Sequence, residues 1–147
     1  MDNHNGVIRP FRRKAAYYET DKMGIVHHSN YIRWLEEARV DLMEQASLPF
    51  TGLEEAGITI PVVSVSCTYR CPVHFDDEVE IHPMITEFNG CKFRLKYEIV
   101  NLTQGRAISA VCETSHCFVN MAFRPIRTQR DYPHVYETFA KLVNIKI

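Results

Sequence analysis

The stretch Tyr17–Glu44, YYETDKMGIVHHSNYIRWLEEARVDLME, joins a polar loop to a long amphipathic run. The second half has helical spacing: Tyr31, Leu35, Ala38, Leu42 and Ala46 recur on one stripe. Trp34 and Met43 widen it, so a deeply buried helix is expected from Ser29 to Ala46. Ser29 or Asn30 is the expected cap, without a full capping box because Ile32 stands where an acid would help. Acids on the polar face are spaced to pair with Arg33 and Arg39, and Pro49 lies beyond the end. Such a helix is about 27 Å long. An eight-residue strand covers about the same distance, so the helix can lie across a sheet.

The first half carries the chemistry. Asp21 precedes a short loop with Gly24, and His27 and His28 follow just before the helix. A helix start offers unpaired N–H groups and partial positive charge, which suits a carbonyl oxygen turning negative. An aspartate one loop away can deprotonate water or attack the carbonyl itself. Acyl transfer needs both. Gly24 is read as a backbone device, for a positive φ or for close approach by substrate.

Outward from this stretch the pattern turns to period two. Residues 1–9 form a polar tail, and a first strand ends over Ala15–Glu19 after the basic cluster Arg12-Arg13-Lys14, itself a solvated strand end. A short helical turn is expected over Thr51–Ala56. Val63, Val65, Cys67 and Tyr69 share one strand face, and Cys71-Pro72 ends that strand. Val79, Ile81, Pro83 and Ile85 mark the next, with Pro83 a weak point or an edge. Asn89-Gly90 signals a hairpin into the alternating strand Cys91–Ile99. A last strand is expected over Arg106–Asn120, and a short helix over Tyr136–Val143. This order gives one α+β domain over residues 1–147, an antiparallel sheet with a helix on one face.

The 147 residues are 46% hydrophobic and 24% charged, with net charge −1. That balance argues against a general nucleic-acid surface. No apolar run is long enough to span a bilayer, and no signal peptide is apparent, so a cytoplasmic protein is expected. Five cysteines, Cys67, Cys71, Cys91, Cys112 and Cys117, form no CxxC pair and read as small buried side chains. No metal site is expected from their spacing with the histidines. There is no P-loop and no Gly-x-Ser-x-Gly elbow.

The pattern YxxxDxxGxVxHxNYxRWxExAR runs through Tyr17, Asp21, Gly24, Val26, His28, Asn30, Tyr31, Arg33, Trp34, Glu36, Ala38 and Arg39. It resembles the hot-dog fold acyl-CoA thioesterases related to 4-hydroxybenzoyl-CoA thioesterase. The segment CPVHFDDEVEI, Cys71 to Ile81, resembles a second, less specific motif of that family. The resemblance covers nearly the whole chain except the first residues and the tail. It implies a sheet wrapped around one helix, dimers or tetramers with sites between subunits, and hydrolysis of a small or medium acyl-CoA without a cofactor. It puts Asp21 on the catalytic carboxylate and His28 on the backbone N–H that meets the thioester oxygen. Tyr17 falls on an associated tyrosine when counted back from Asp21, and Tyr18 when the tyrosine pair is aligned. Lys22 and Met23 replace small residues common in relatives. Lys92 and Arg94, on an exposed strand face, are candidates for the phosphates of coenzyme A. The other histidines, His27, His74, His82 and His116, read as surface or structural residues. Two rivals stay open. A hot-dog hydroxyacyl dehydratase would want a His-Phe-Pro type segment, absent here. A non-catalytic acyl-CoA-binding protein is the other; about ten residues precede the first strand, too few for a DNA-binding module.

Overall fold

The computed structural model describes residues 7–147, so the first six residues of the expected polar tail lie outside the described residues. In chain order the elements are β1 (Phe11–Lys14), a single 3-10 turn (Tyr17–Glu19), α1 (Ser29–Gln45), α2 (Phe50–Glu55), β2 (Val62–Tyr69), β3 (Glu78–Phe88), β4 (Lys92–Asn101), β5 (Ala107–Cys117), α3 (Thr128–Asp131) and α4 (Pro133–Leu142). All neighbours in the sheet are antiparallel, in the order β1-β3-β4-β5-β2. The expected α+β architecture holds. Trp34 and Leu35 of α1 are fully buried against the sheet. Phe139 of α4 packs with Phe88, Phe93 and Phe118 at the hairpin end.

Several boundaries differ from the sequence reading for local reasons. The first strand ends at Lys14, not within Ala15–Glu19, because the Ala16 N–H donates to the Glu19 carboxylate (2.8 Å) and closes the 3-10 turn. β5 stops at Cys117; beyond it Val119 bridges to Thr59 and Pro125 instead of continuing to Asn120. α4 starts three residues early because Pro133 suits a first helical turn. Pro83 does sit on the part of β3 past the end of β1, whose pairing reaches only Ile81. Asn89-Gly90 makes the hairpin: Gly90 has φ +94°, and Asn89 Oδ1 accepts the N–H groups of Cys91 and Lys92. Arg39 does not pair with an acid on its own helix; it turns inward and donates to the Tyr97 hydroxyl (3.3 Å).

β2 departs most from expectation. Val65, Cys67 and Tyr69 stand opposite Thr114, Cys112 and Ala110, so they share the α1 side of the sheet. Yet Val65 and Tyr69 are 41% and 46% exposed, and Val63, expected on the same face, falls instead in a bulge between Val62 and Ser64 and is 67% exposed. β2 is the sheet edge, and α1 lies chiefly over β3, so among the described residues that face is covered only in part, with Tyr31 packed edge-on against Tyr69.

One buried ion pair fixes where α1 begins. The Glu19 carboxylate, 3% exposed, accepts from Arg13 Nη1, from the Ala16 N–H and from Trp34 Nε1 (2.8 Å). Arg13 also reaches Glu37 (2.9 Å) and lies over the Trp34 ring. Burial pushes the Glu19 carboxyl up, but Arg13, the Ala16 N–H and Trp34 outweigh it and hold it below the ordinary range. The Glu19 carbonyl takes two more donors, the His27 N–H (2.8 Å) and Asn30 Nδ2 (2.9 Å). This residue thus ties β1, the loop and the first turn of α1 together. Glu19→Ala leaves a guanidinium and an indole N–H without their buried acceptor. The expected loss is about 3–5 kcal/mol, read from urea unfolding midpoints.

A second buried polar chain crosses the core. The Tyr97 hydroxyl meets Thr114 Oγ1 (2.7 Å), and Thr114 Oγ1 meets His116 Nε2 (2.8 Å). Burial, reinforced by the charge of Arg39, pushes the His116 imidazole down to about 4. The unfolded chain takes up that proton near pH 6.5. Stability from this group is therefore complete above about pH 6.5 and is lost as pH falls toward 4. Unfolding midpoints from pH 7 to 4.5 should show a loss approaching roughly 3 kcal/mol that His116→Leu lacks.

Candidate active site

Residues 20–26 form a small two-armed ribbon. Thr20 bridges Val26, the Asp21 N–H donates to the Ile25 carbonyl (2.9 Å), and the Gly24 N–H donates to the Asp21 carbonyl (3.0 Å). Gly24 has φ +78°, and a Cβ there would touch nothing within 4 Å. Its role in this chain is therefore the positive φ that closes the turn, not room for a neighbour. Asp21 is half-buried, and its Oδ1 accepts the Met23 N–H (2.8 Å). Its Oδ2 takes no hydrogen bond among the described residues, so one carboxylate oxygen is free to receive a proton or to attack.

The segment matched by the second motif supports this ribbon from outside. Ile25 bridges His74, and the Val26 N–H donates to the Val73 carbonyl (2.7 Å). Asp77, 5% exposed, accepts from the His74 N–H and from Asn101 Nδ2 (both 2.9 Å), while its carbonyl holds the Ala15 N–H. Sequence reasoning missed both Asp77 and Glu19 as supports. Their partners are far along the chain, and no local spacing announces them.

The start of α1 differs from expectation in an informative way. Neither Ser29 nor Asn30 caps it. His28 stands at the N-cap position without a side-chain cap bond, and the residue before it supplies the contacts: the His27 carbonyl accepts the Asn30 N–H (3.0 Å), and its Nδ1 accepts the Ser29 N–H (3.2 Å) with the Ser29 hydroxyl 2.8 Å away. His27, expected to be a surface or packing residue, therefore holds the helix end. The Tyr31 N–H goes to the His28 carbonyl (3.2 Å). Across this first turn, the His28 N–H is the one donor without a partner among the described residues. It sits at the positive end of a seventeen-residue helix, where an anion or oxyanion is favoured.

Asp21 lies on the first arm of the ribbon, and His28 follows two residues after the second arm ends at Val26, at the start of α1. The other candidates are less closely drawn in. The His28 ring is outside, tilted on His27 at 4.1 Å and edge-on to Tyr69. Tyr17 and Tyr18 are 75% and 80% exposed; the Tyr17 ring packs edge-on against Phe75, and its hydroxyl makes no hydrogen bond among the described residues. Lys92 and Arg94 lie at the opposite end of β4 from Asn101, about 20–30 Å away along the strand. Arg94 is paired there with Glu87 (3.5 Å). One chain alone does not bring them to the Asp21 ribbon. Among the described residues, no three of His, Cys, Asp and Glu cluster as metal ligands would.

The sequence profile of the Thioesterase-like superfamily matches residues 16–141, which contain the ribbon, α1 and the whole sheet beyond β1. The chain is 32% identical over 129 residues to YneP of Bacillus subtilis (strain 168), covering 87% of this chain and 92% of YneP, a protein whose name provisionally assigns it acyl-CoA thioesterase activity. The crystal structure of a DHNA-CoA thioesterase from Staphylococcus aureus superposes with TM-score 0.85 at 28% identity, over 90% of this chain and 89% of that one. A 4-hydroxybenzoyl CoA thioesterase shares the fold, with TM-score 0.75 at 23% identity over 86% and 96% of the two chains. With its sheet wrapped on α1 and the profile spanning most of its length, the chain belongs to the thioesterase-like superfamily and has the hot-dog fold.

Proposed function

We propose that this thioester hydrolase acts on a small or medium acyl-CoA and releases the free acid and coenzyme A. The observation that carries the reading is the unpaired His28 N–H at the start of α1, one ribbon arm from the free Oδ2 of Asp21. The thioester carbonyl oxygen takes the His28 N–H, and the helix end favours the charge that gathers there. Asp21 either removes a proton from water as it attacks the carbonyl carbon or attacks that carbon itself, forming an anhydride that water then opens. In the general-base route the C–S bond breaks and the proton taken by Asp21 passes to the departing thiolate; in the anhydride route coenzyme A leaves as the thiolate, and the water that opens the anhydride supplies its proton and restores the Asp21 carboxylate. Tyr17, exposed beside the ribbon, is placed to border the entering substrate.

The second copy in this reading is identical to the first. β2 presents an unpaired edge and a partly covered apolar face, a combination prone to pair with another strand. Antiparallel pairing through β2 in a dimer, and further association into a tetramer, covers Val63, Val65 and Tyr69. Lys92 and Arg94 then meet coenzyme A phosphates bound to a neighbouring subunit's ribbon, since their own is out of reach. Five free cysteines suit a cytoplasmic setting.

Asp21→Asn tests the chemistry. Asparagine keeps the acceptor for the Met23 N–H, so the thermal midpoint should hardly move, while kcat for acyl-CoA hydrolysis falls by at least about 10²-fold. Turnover within about threefold of wild type removes Asp21 from the mechanism. Sedimentation tests the assembly: a dimer or larger species is expected, and a fully active monomer at assay concentration overturns it.

A further inference from the structure

A cavity of about 220 Å³ lies between α1, α4 and the inner face of the sheet. Its walls are mostly apolar, among them Leu42, Met43, Phe93 and Phe139; Arg39 also lines it, with its Nη1 given to the Tyr97 hydroxyl, and its rim is marked by the exposed side chains of Glu36 and Val62. One wall is polar. His116 is 2% exposed, stacks on Phe93 at 4.9 Å, and has a ring nitrogen, Nδ1, with no hydrogen-bond partner. The Pro61 carbonyl faces the ring without reaching hydrogen-bonding geometry.

The polar chain behind His116 sets which nitrogen carries the hydrogen. Arg39 can only donate, so the Tyr97 hydroxyl accepts from it. The Tyr97 proton then goes to Thr114 Oγ1, and the Thr114 proton to His116 Nε2. A neutral ring is left with its hydrogen on Nδ1. An N–H so placed in an apolar wall costs stability until an acceptor reaches it.

One strand reaches both the cavity rim and the start of α1. β2 begins at Val62 on the rim and ends at Tyr69, whose hydroxyl lies 3.5 Å from the His28 carbonyl. The partly covered face of Val65 and Cys67 runs between them. Along α1, Glu36 lies about 12 Å beyond His28. A single ring attached at the thioester stops short of the rim, whereas a medium chain crosses the gap.

We propose that this cavity receives the far end of the acyl group, and that His116 Nδ1–H donates to an oxygen carried there, so that the substrate is a medium-chain acyl-CoA with a hydroxyl or oxo group near its terminus. This rests on the acyl-CoA reading above and narrows it.

The test compares decanoyl-CoA with 10-hydroxydecanoyl-CoA by free-thiol release from the intact protein. Wild type should favour the hydroxylated ester about tenfold in kcat/KM, the worth of one added hydrogen bond. In His116→Leu the ratio of the two should fall to about one, a comparison that does not depend on the fraction folded. Binding of the products supplies a readout without turnover: 10-hydroxydecanoate should shift the His116 Nδ1–H signal in ¹⁵N-histidine NMR of the wild type, and decanoate should not. Equal hydrolysis of both esters by wild type, a ratio retained in His116→Leu, or equal NMR response to both acids overturns the proposal. Hydrolysis of neither ester, with the selective NMR shift intact, overturns the thioesterase reading and leaves the binding site standing.

Discussion

The structure depends on a carboxylate that is almost out of water. Glu19 must be ionised to satisfy Arg13, and it is affordable in the interior only because Arg13, the Ala16 N–H and Trp34 Nε1 surround it. The arrangement reaches three elements at once. It ends β1, sets the 3-10 turn, and through Trp34 locks the angle at which α1 leaves the loop. The carbonyl of the same residue holds the His27 N–H and Asn30 Nδ2. Asp21 follows two residues later on one arm, and His28 follows His27 beyond the end of the other. A shift of Glu19 therefore moves both arms together and preserves their separation. Under the proposed mechanism, in which Asp21 and the His28 N–H act together, this matters because reacting groups must stay in register to fractions of an ångström.

The sheet imposes the opposite kind of constraint. Four strands bury one face under α1 and α4, but no further element among the described residues covers β2. An isolated protomer would show Val63, Val65 and Tyr69 to solvent beside an open row of backbone groups, a template for pairing. The same face leads from His28 toward the cavity beside His116. Covering it with a second copy converts an aggregation hazard into the wall of a channel. In this reading assembly and substrate binding draw on one surface.

Much of this was legible in the sequence, and the gaps have a common cause. The α1 stripe, the alternating strand β4 and the Asn89-Gly90 hairpin follow from local spacing, and the structure agrees. The loop from Asp21 to His28 was legible as chemistry because turn, acid and helix start are adjacent in the chain. What was missed is nonlocal or competitive. His27 takes over the capping contacts from Ser29 and Asn30 because its ring and carbonyl reach the N–H groups of both those residues. The Glu19 and Asp77 carboxylates matter through side chains 15 and 24 residues away, and the Asp77 carbonyl through Ala15, farther still along the chain. β2 reads from its alternation as a half-buried strand, and only the strand order reveals that it is the edge. Lys92 and Arg94 are exposed as expected, but the length of β4 separates them from the ribbon of their own chain.

The His28 N–H and His116 Nδ1, each without a partner among the described residues, stand in different solvents. The His28 N–H lies at an exposed residue, where water can serve it while the site is empty, so leaving it open costs the fold little. It gains strength only when substrate displaces that water and negative charge develops on the carbonyl oxygen, which is the condition for lowering a barrier and not merely for binding. His116 Nδ1 lies in an apolar wall, where an unpaired donor costs about 1–3 kcal/mol whether or not chemistry is under way. An acceptor arriving there recovers the cost on binding and contributes equally in ground and transition states. One donor is suited to rate and the other to selection among acyl groups, and the separation of about 12 Å or more along α1 lets the two be altered independently.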